Sequence, residues 1–257
     1  MNRAGIRFWI IASSFVVAAS IHIGGANLVG AQETESIEGQ LPLPSSLLAL
    51  NSDEGRRLLR QSKSQEPFWT LVQNYETQQD LGSCSVASCV MVLNAMGVQG
   101  PVSPSIHPFR RHTAANLFNE DVERVISQST VSKVGMSLLQ LREVVGTFPV
   151  TSHIVYAGDS DVSQFRRDLK EHLARPEQQM VNYFRKSLGQ QGGGHISPVA
   201  AYNEESDMVL IADTAGYKYP WTWVPVSLLW VSMASFRDHV SGKTRGYLVV
   251  VRTANRQ

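Results

Sequence analysis

The chain has 257 residues, 43% of them hydrophobic, and a formal net charge of +1. That is enough apolar material for one substantial core or two lobes sharing one. Near-neutral charge, with neither a basic stripe nor an acidic tail, excludes a partner held by bulk charge and gives no sign of nucleic-acid binding.

At the N-terminus, Arg3 and Arg7 precede an apolar run from Phe8 to Ile23, and Val29-Gly30-Ala31 offers small residues for a signal peptidase. Residues 1–31 are therefore expected to be a secretory leader cut after Ala31, with residues 32–257 forming an exported, periplasmic catalytic domain. The alternative is an uncleaved anchor, since the run is nearly long enough to span a bilayer. After cleavage no membrane association is expected.

The polar, acidic stretch from Gln32 to Gln40 reads as a loose terminus, and Leu41-Pro42-Leu43-Pro44 as the start of order. A helix is predicted over Ser52 to Gln65 with Ser52 as its cap, then a second apolar segment over Phe68 to Val72. The next stretch, from Gln78 to Gly97, organises the chain. A polar loop turns into a helix at Cys84, mostly apolar from Val86 to Met96 and stopped by Gly97. Further helices are predicted over Asn116 to Ile126, over Ser137 to Val145 with Ser137 as cap, and over Ser163 to Ala174. Strands are predicted over Val150 to Tyr156, Gln179 to Phe184, His195 to Tyr202, Met208 to Asp213 and Arg245 to Arg252, with a short helix over Val226 to Met233. Helices first and antiparallel strands second predict an α+β architecture: a helical lobe packed on a sheet lobe, with the Cys84 helix along the seam.

The chain has two cysteines, Cys84 and Cys89, on one predicted helix. Five positions apart, they point about 140° from each other, which disfavours a disulfide. Cys89 reads as a small buried hydrophobe. Cys84 sits in the first helical turn, where unpaired N–H groups and the helix dipole favour a thiolate. Such a nucleophile needs a base, and the base an orienting group. Of the seven histidines, His107, His112, His153, His172 and His239 read as ordinary surface residues, and His22 lies in the leader. His195 follows a triple glycine and opens an apolar strand. Asp213 ends the strand Val209-Leu210-Ile211-Ala212, where a carboxylate is costly unless paired. Opposed positions in that hairpin are expected to sum to about 408, making His195 and Asp213 cross-strand neighbours. Read from spacing alone, the pair serves equally as a buried structural contact or as the base and acid of a triad.

Several stretches then align with one family. They are Cys84-Ser85-Val86-Ala87-Ser88 leading into Val90-Met91-Val92-Leu93-Asn94-Ala95, Val181-Asn182-Tyr183-Phe184-Arg185-Lys186, Gly193-Gly194-His195 through Asn203, Asp213 with Tyr217-Lys218-Tyr219-Pro220, and Lys243-Thr244-Arg245-Gly246. Together they resemble the catalytic domain of phytochelatin synthase, in the short bacterial form without the Cys-rich C-terminal domain. The resemblance runs from about Leu41 to Arg252. It implies a papain-like cysteine-peptidase fold, with Cys84 as nucleophile, His195 as base, Asp213 as orienting acid and Gln78 as an oxyanion donor. It departs locally: the family usually has Tyr-Cys-Gly where this chain has Ser83-Cys84-Ser85. Ser83 removes an aromatic wall and Ser85 adds a side chain.

The resemblance further implies glutathione and γ-glutamyl peptides as substrates, cleaved at the Cys–Gly bond through a thioester on Cys84. The acyl group passes to water or to a second glutathione, with water expected to be the faster acceptor. The chemistry is expected to need no cofactor. Heavy-metal ions such as cadmium enter as glutathione thiolates or activators, and a homodimer is compatible with the family. Arg245 suits the γ-glutamyl carboxylate by its bidentate fork. Asp238 suits the ammonium, and Arg185 is a further candidate for guiding substrate. Two other readings compete: a papain-like peptidase acting on other peptides with the same triad, and a metal- or thiol-binding protein using Cys84 and Cys89. Two cysteines on opposite helix faces chelate poorly, which counts against the last.

Overall fold

The structure is a computed structural model that describes residues 39–103 and 106–253. The predicted leader and its cleavage point fall outside these residues, as does most of the acidic stretch that follows. Among the described residues, no helix is long and apolar enough to cross a membrane.

A two-residue strand β1 (Leu48–Ala49) leads into α1 (Asp53–Gln61) and α2 (Glu66–Gln73). Ser52 caps α1 as expected, its hydroxyl accepting from the Gly55 amide at 3.0 Å. The helix predicted over Ser52 to Gln65 stops at Gln61, and α2 covers the predicted apolar segment from Phe68 to Val72. Ser62 and Ser64 lie between them, and the Ser64 carbonyl instead accepts from the Tyr202 amide at 2.8 Å. Next comes α3 (Cys84–Ala95), close to its predicted bounds. Its residues from Ser85 to Leu93 are almost wholly buried. Burial of each large apolar side chain there contributes roughly 1.5–3 kcal/mol.

The helix predicted over Asn116 to Ile126 is shorter, α4 (Glu120–Val125), because the Asn119 side chain accepts from the amides of Asp121 and Val122 and starts the helix late. Helix α5 (Gln128–Val134) was not expected. It is a single short run of Ser, Thr and Val with little periodicity, capped by Ser127. Helix α6 (Leu138–Val145) has a full capping box, with Ser137 and Gln140 each bonding the other's backbone amide. Then follow β2 (Val150–Tyr156), α7 (Val162–Leu173), β3 (Gln178–Phe184), β4 (Gly194–Asn203), β5 (Met208–Ile211), β6 (Thr222–Pro225), α8 (Val226–Ala234) and β7 (Gly246–Arg252).

The strands form one seven-stranded antiparallel sheet in the order β1-β6-β5-β4-β3-β7-β2. The α+β expectation holds at this level. The picture of a helical lobe against a sheet lobe does not, because the sheet is covered on both faces. Helices α2, α3 and α6 pack on one face with Met180, Ile196, Leu210 and Leu248. Helices α7 and α8 pack on the other with Val181, Val199, Val209 and Val249. Period-two alternation of apolar residues on β3 and β7 serves two cores at once.

The predicted hairpin register also differs. Opposed residues in β4 and β5 are Asn203 with Met208, Tyr202 with Val209 and Ala201 with Leu210, summing to 411, and a bulge at Ala200 shifts Val199 onto Ile211. Four loop residues, rather than a turn centred near residue 204, set this register. Asp213 therefore lies beyond the ladder and is not the cross-strand partner of His195. It approaches His195 by a different route, described next.

Candidate active site

One end of the sheet gathers the chemistry-bearing residues. The last residues of β3 lie beside the first of β4, with Tyr183 opposite His195. The start of β7 lies beside Asn182, and the N-terminus of α3 meets β4 from the first face. Cys84 is the first residue of α3, so its backbone N–H lies outside the helix's own hydrogen-bond ladder. Ser83, just before it, folds its hydroxyl back to accept from the amides of Gln79 and Asp80 at 3.1 and 3.0 Å. The Ser85 hydroxyl is fully buried and has no hydrogen-bond partner among the described residues.

Past β5, the chain turns so that the Asp213 Oδ1 accepts from the Ala215 amide at 2.9 Å. The same oxygen meets His195 Nε2 at 3.0 Å and accepts from Arg185 Nη2 at 2.7 Å. With Nε2 engaged, Nδ1 is the ring nitrogen left to serve the thiol. All four side chains are nine-tenths buried or more. Burial pushes the Cys84 thiol up, but the charge and hydrogen bond of His195, the Ile196 backbone and the Arg185 charge together bring it below its ordinary value. His195 is driven down by burial and by Arg185, yet Asp213 and Cys84 hold it above the ordinary imidazole range. Asp213 resists burial and is kept far below the usual carboxylate range by His195, Arg185 and the Ala215 amide. Cys89 has no such company, and burial alone pushes it up to about 12.

In front of Cys84 lies a cleft of about 240 Å³. One wall is His195, Asn182 and Arg245 with Asp238 and His239, and the other is the C-terminal part of α5 with Leu81 and Gly82. A Cβ at Gly82 would come within 2.5 Å of the Ser132 carbonyl, so glycine there lets α5 close against the Cys84 loop. A Cβ at Gly194 would come within 2.6 Å of the Arg245 guanidinium, which lies against that glycine. Arg245 donates to Asn182 Oδ1 and stands 3.6 Å from Asp238 Oδ2, while its buried Nε has no partner among the described residues. Asp238 Oδ1 is occupied by the Val240 and Ser241 amides and the Ser241 hydroxyl.

The structure thus brings Cys84, His195 and Asp213 together, with Arg245 and Asp238 at the rim. Two expected residues sit differently. Arg185 is not a guide for incoming substrate. It is buried, bonded to Asp213 and Gln190, and lies over the rings of Tyr183 and Tyr219 at 5.9 and 5.3 Å, away from the cleft lining. The Gln78 side chain is also absent from that lining. It donates to the Asp80 carbonyl at 2.8 Å and accepts from the Thr214 hydroxyl at 3.4 Å. Among the histidines taken for surface residues, His112 is buried against Phe148 and His239 lines the cleft. Sequence reasoning gave no functional role to Asn182 or the α5 wall. The signal for Asn182 is an amide flanked by apolar residues in a nearly wholly buried strand, which needs a polar partner.

A thiol beside an imidazole that is held by a carboxylate, set at a helix N-terminus over a narrow cleft, is the arrangement of a cysteine acyl-transfer site. The particular family follows from comparison with known proteins. The chain belongs to the phytochelatin synthase family, whose model matches residues 38–247. It is 33% identical over 216 residues to glutathione gamma-glutamylcysteinyltransferase 3 of Lotus japonicus, covering 82% of this chain and 43% of that one. Identity is 30% to the type 1 enzyme of Arabidopsis thaliana, over 82% of this chain and 43% of the relative. It is 28% to the enzyme of Schizosaccharomyces pombe, over 81% and 50%. The chain spans half or less of the length of these relatives.

Proposed function

We propose that the protein is a glutathione γ-glutamylcysteinyltransferase-type thiol enzyme. The observation that carries this reading is the Cys84–His195–Asp213 constellation opening on a cleft rimmed by Arg245 and Asp238. A helix that starts at the nucleophile and packs on an antiparallel sheet supplying base and acid fits a papain-like fold.

In this mechanism the Cys84 thiolate attacks the carbonyl carbon of the substrate's Cys–Gly bond. The Cys84 backbone N–H supports the resulting oxyanion. Gln78 joins it once its amide turns from the Asp80 carbonyl. The C–N bond breaks as His195 gives its proton to the departing glycine amine, leaving γ-glutamylcysteine as a thioester. Water, or the amine of a second glutathione, then attacks the thioester. His195 takes the proton, the C–S bond breaks and the thiolate returns. Arg245 holds the γ-glutamyl carboxylate through its free donor capacity, and Asp238 Oδ2 the ammonium. Metal ions enter as part of a glutathione thiolate substrate. The leader-like sequence of residues 1–31 supports export, and with it a reaction outside the cytoplasm.

The test is product analysis with glutathione, with and without cadmium, beside Cys84→Ala. Glycine and γ-glutamylcysteine are expected, lost in the variant, and γ-glutamylcysteine oligomers ending in glycine would show transfer. Absence of Cys84-dependent turnover under reducing conditions overturns the reading and favours other peptides as substrates.

A further inference from the structure

The acyl-transfer mechanism leaves one strongly placed group unused. Arg185 is 3% exposed and 2.7 Å from the oxygen of Asp213 that also meets His195. Its other terminal nitrogen is fixed to Gln190 Oε1 at 2.8 Å. The tyrosines Tyr183 and Tyr219 lie against its guanidinium. A carboxylate bonded to an imidazolium stabilises it and resists its deprotonation. An enzyme that must hand that proton to a leaving amine is slowed if the carboxylate acts at full charge. A cation on the same oxygen removes most of that charge while keeping the carboxylate's hydrogen bond to the ring.

We propose that Arg185 is a positioning residue that cancels the charge of Asp213, so that the carboxylate orients His195 without trapping its proton. The proposal rests on the acyl-transfer reading of the site and deepens it. With Arg185 in place, the site holds two balanced pairs: Cys84 thiolate with His195 imidazolium, and Asp213 with Arg185. The other charged or titratable groups near the quartet are Tyr75 after α2, whose hydroxyl donates to the Asp213 carbonyl at 3.2 Å, Tyr183 on β3, Lys218 and Tyr219 after β5, and Arg245 before β7. Both Lys218 and Arg245 are cations, and neither has a hydrogen bond to Asp213. Arg185 is the cation in contact.

The experiment reads the rate of Cys84 alkylation by iodoacetamide against pH, with Cys84→Ala as blank, and beside it kcat/KM for glutathione. Alkylation needs no substrate and reports both the thiolate and the imidazolium ionisations. Arg185→Met is expected to move the alkaline limb up by about one pH unit or more, because Asp213 then acts at full charge. Asp213→Asn is expected to move it down, and the double variant to return near the parent. Arg185→Lys, which keeps the charge and loses the Gln190 contact, is expected to stay within about half a unit of the parent. Should Arg185→Met not fold, Asp213→Asn against the double variant isolates the same charge in a site with no buried carboxylate left.

Limbs unmoved by removing Arg185 would overturn the proposal, whatever the activity, and so would a shift in the same direction as Asp213→Asn. A parent protein with the expected alkylation profiles but no glutathione cleavage would overturn the substrate reading and leave the role of Arg185 standing.

Discussion

Two buried arginine–aspartate pairs stand at the same end of the sheet, and they are built differently. Arg185 and Asp213 touch at 2.7 Å, with both terminal nitrogens of the guanidinium bonded inside the protein. Arg245 and Asp238 stand 3.6 Å apart on the cleft wall, with one guanidinium nitrogen unpartnered among the described residues. The first pair is complete within the protein and acts on its neighbours. The second is held ready but left partly unsatisfied, which is costly without a ligand and favourable with one. In the proposed reading, the closer pair tunes the site and the looser one is left to read a substrate.

Removing each arginine should expose the contrast. Arg185→Met strips a buried carboxylate of its counter-charge and should cost about 3–5 kcal/mol in urea unfolding. Arg245→Met should cost only about 1–2 kcal/mol, since Asp238 keeps its bonds to the 240–241 amides. Equal losses would erase the distinction. Kinetics should reverse the order in KM. Arg245→Met is expected to raise KM for glutathione about 10- to 100-fold, the worth of a lost charge-assisted bond, with the Cys84 alkylation profile moved less than in Arg185→Met. An effect confined to kcat would instead make Arg245 part of the chemistry.

The closed pair also shapes the pH profile of kcat/KM. Cys84 is depressed and His195 raised, so the thiolate–imidazolium pair exists between the two limbs. Activity should rise with pH below the ordinary thiol value and fall only above the ordinary imidazole value. A profile rising through the ordinary thiol range with no alkaline fall would show that His195 is not charged in the active form. The smallest effect is expected at Cys89. Cys89→Ala removes a buried sulfur remote from both pairs, and should cost about 1–2 kcal/mol with the alkylation profile unchanged.

What was legible in the sequence had strong local causes. The α3 run, the Ser137 cap, the α7 stripe of Phe165, Leu169 and Leu173, and the strands β2, β3 and β7 were placed to within a residue or two. Strand β1 was missed because two residues are too few for a period, and β6 because it lies between Pro220 and Pro225, which read as the bounds of a loop. Asp213 was matched to His195 through a register that the four-residue loop displaces and the bulge at Ala200 only partly restores, so the contact is real and its derivation was not. Arg185 beside Lys186 reads as a solvated basic pair. Only the three-dimensional return of Asp213, 28 residues on, makes its burial affordable in charge.

That bulge has an evolutionary corollary. Ala200 and Ala201 both point into the first core, whereas Val199 and Tyr202 belong to the second, so the extra residue resets which way every side chain before it faces. A one-residue deletion there would rotate the 195–199 segment to the opposite side of the sheet and carry the imidazole with it. Length is therefore the constrained quantity between His195 and Ala201: a substitution at Ala200 leaves the facing of the imidazole intact, whereas an insertion or deletion of one residue does not.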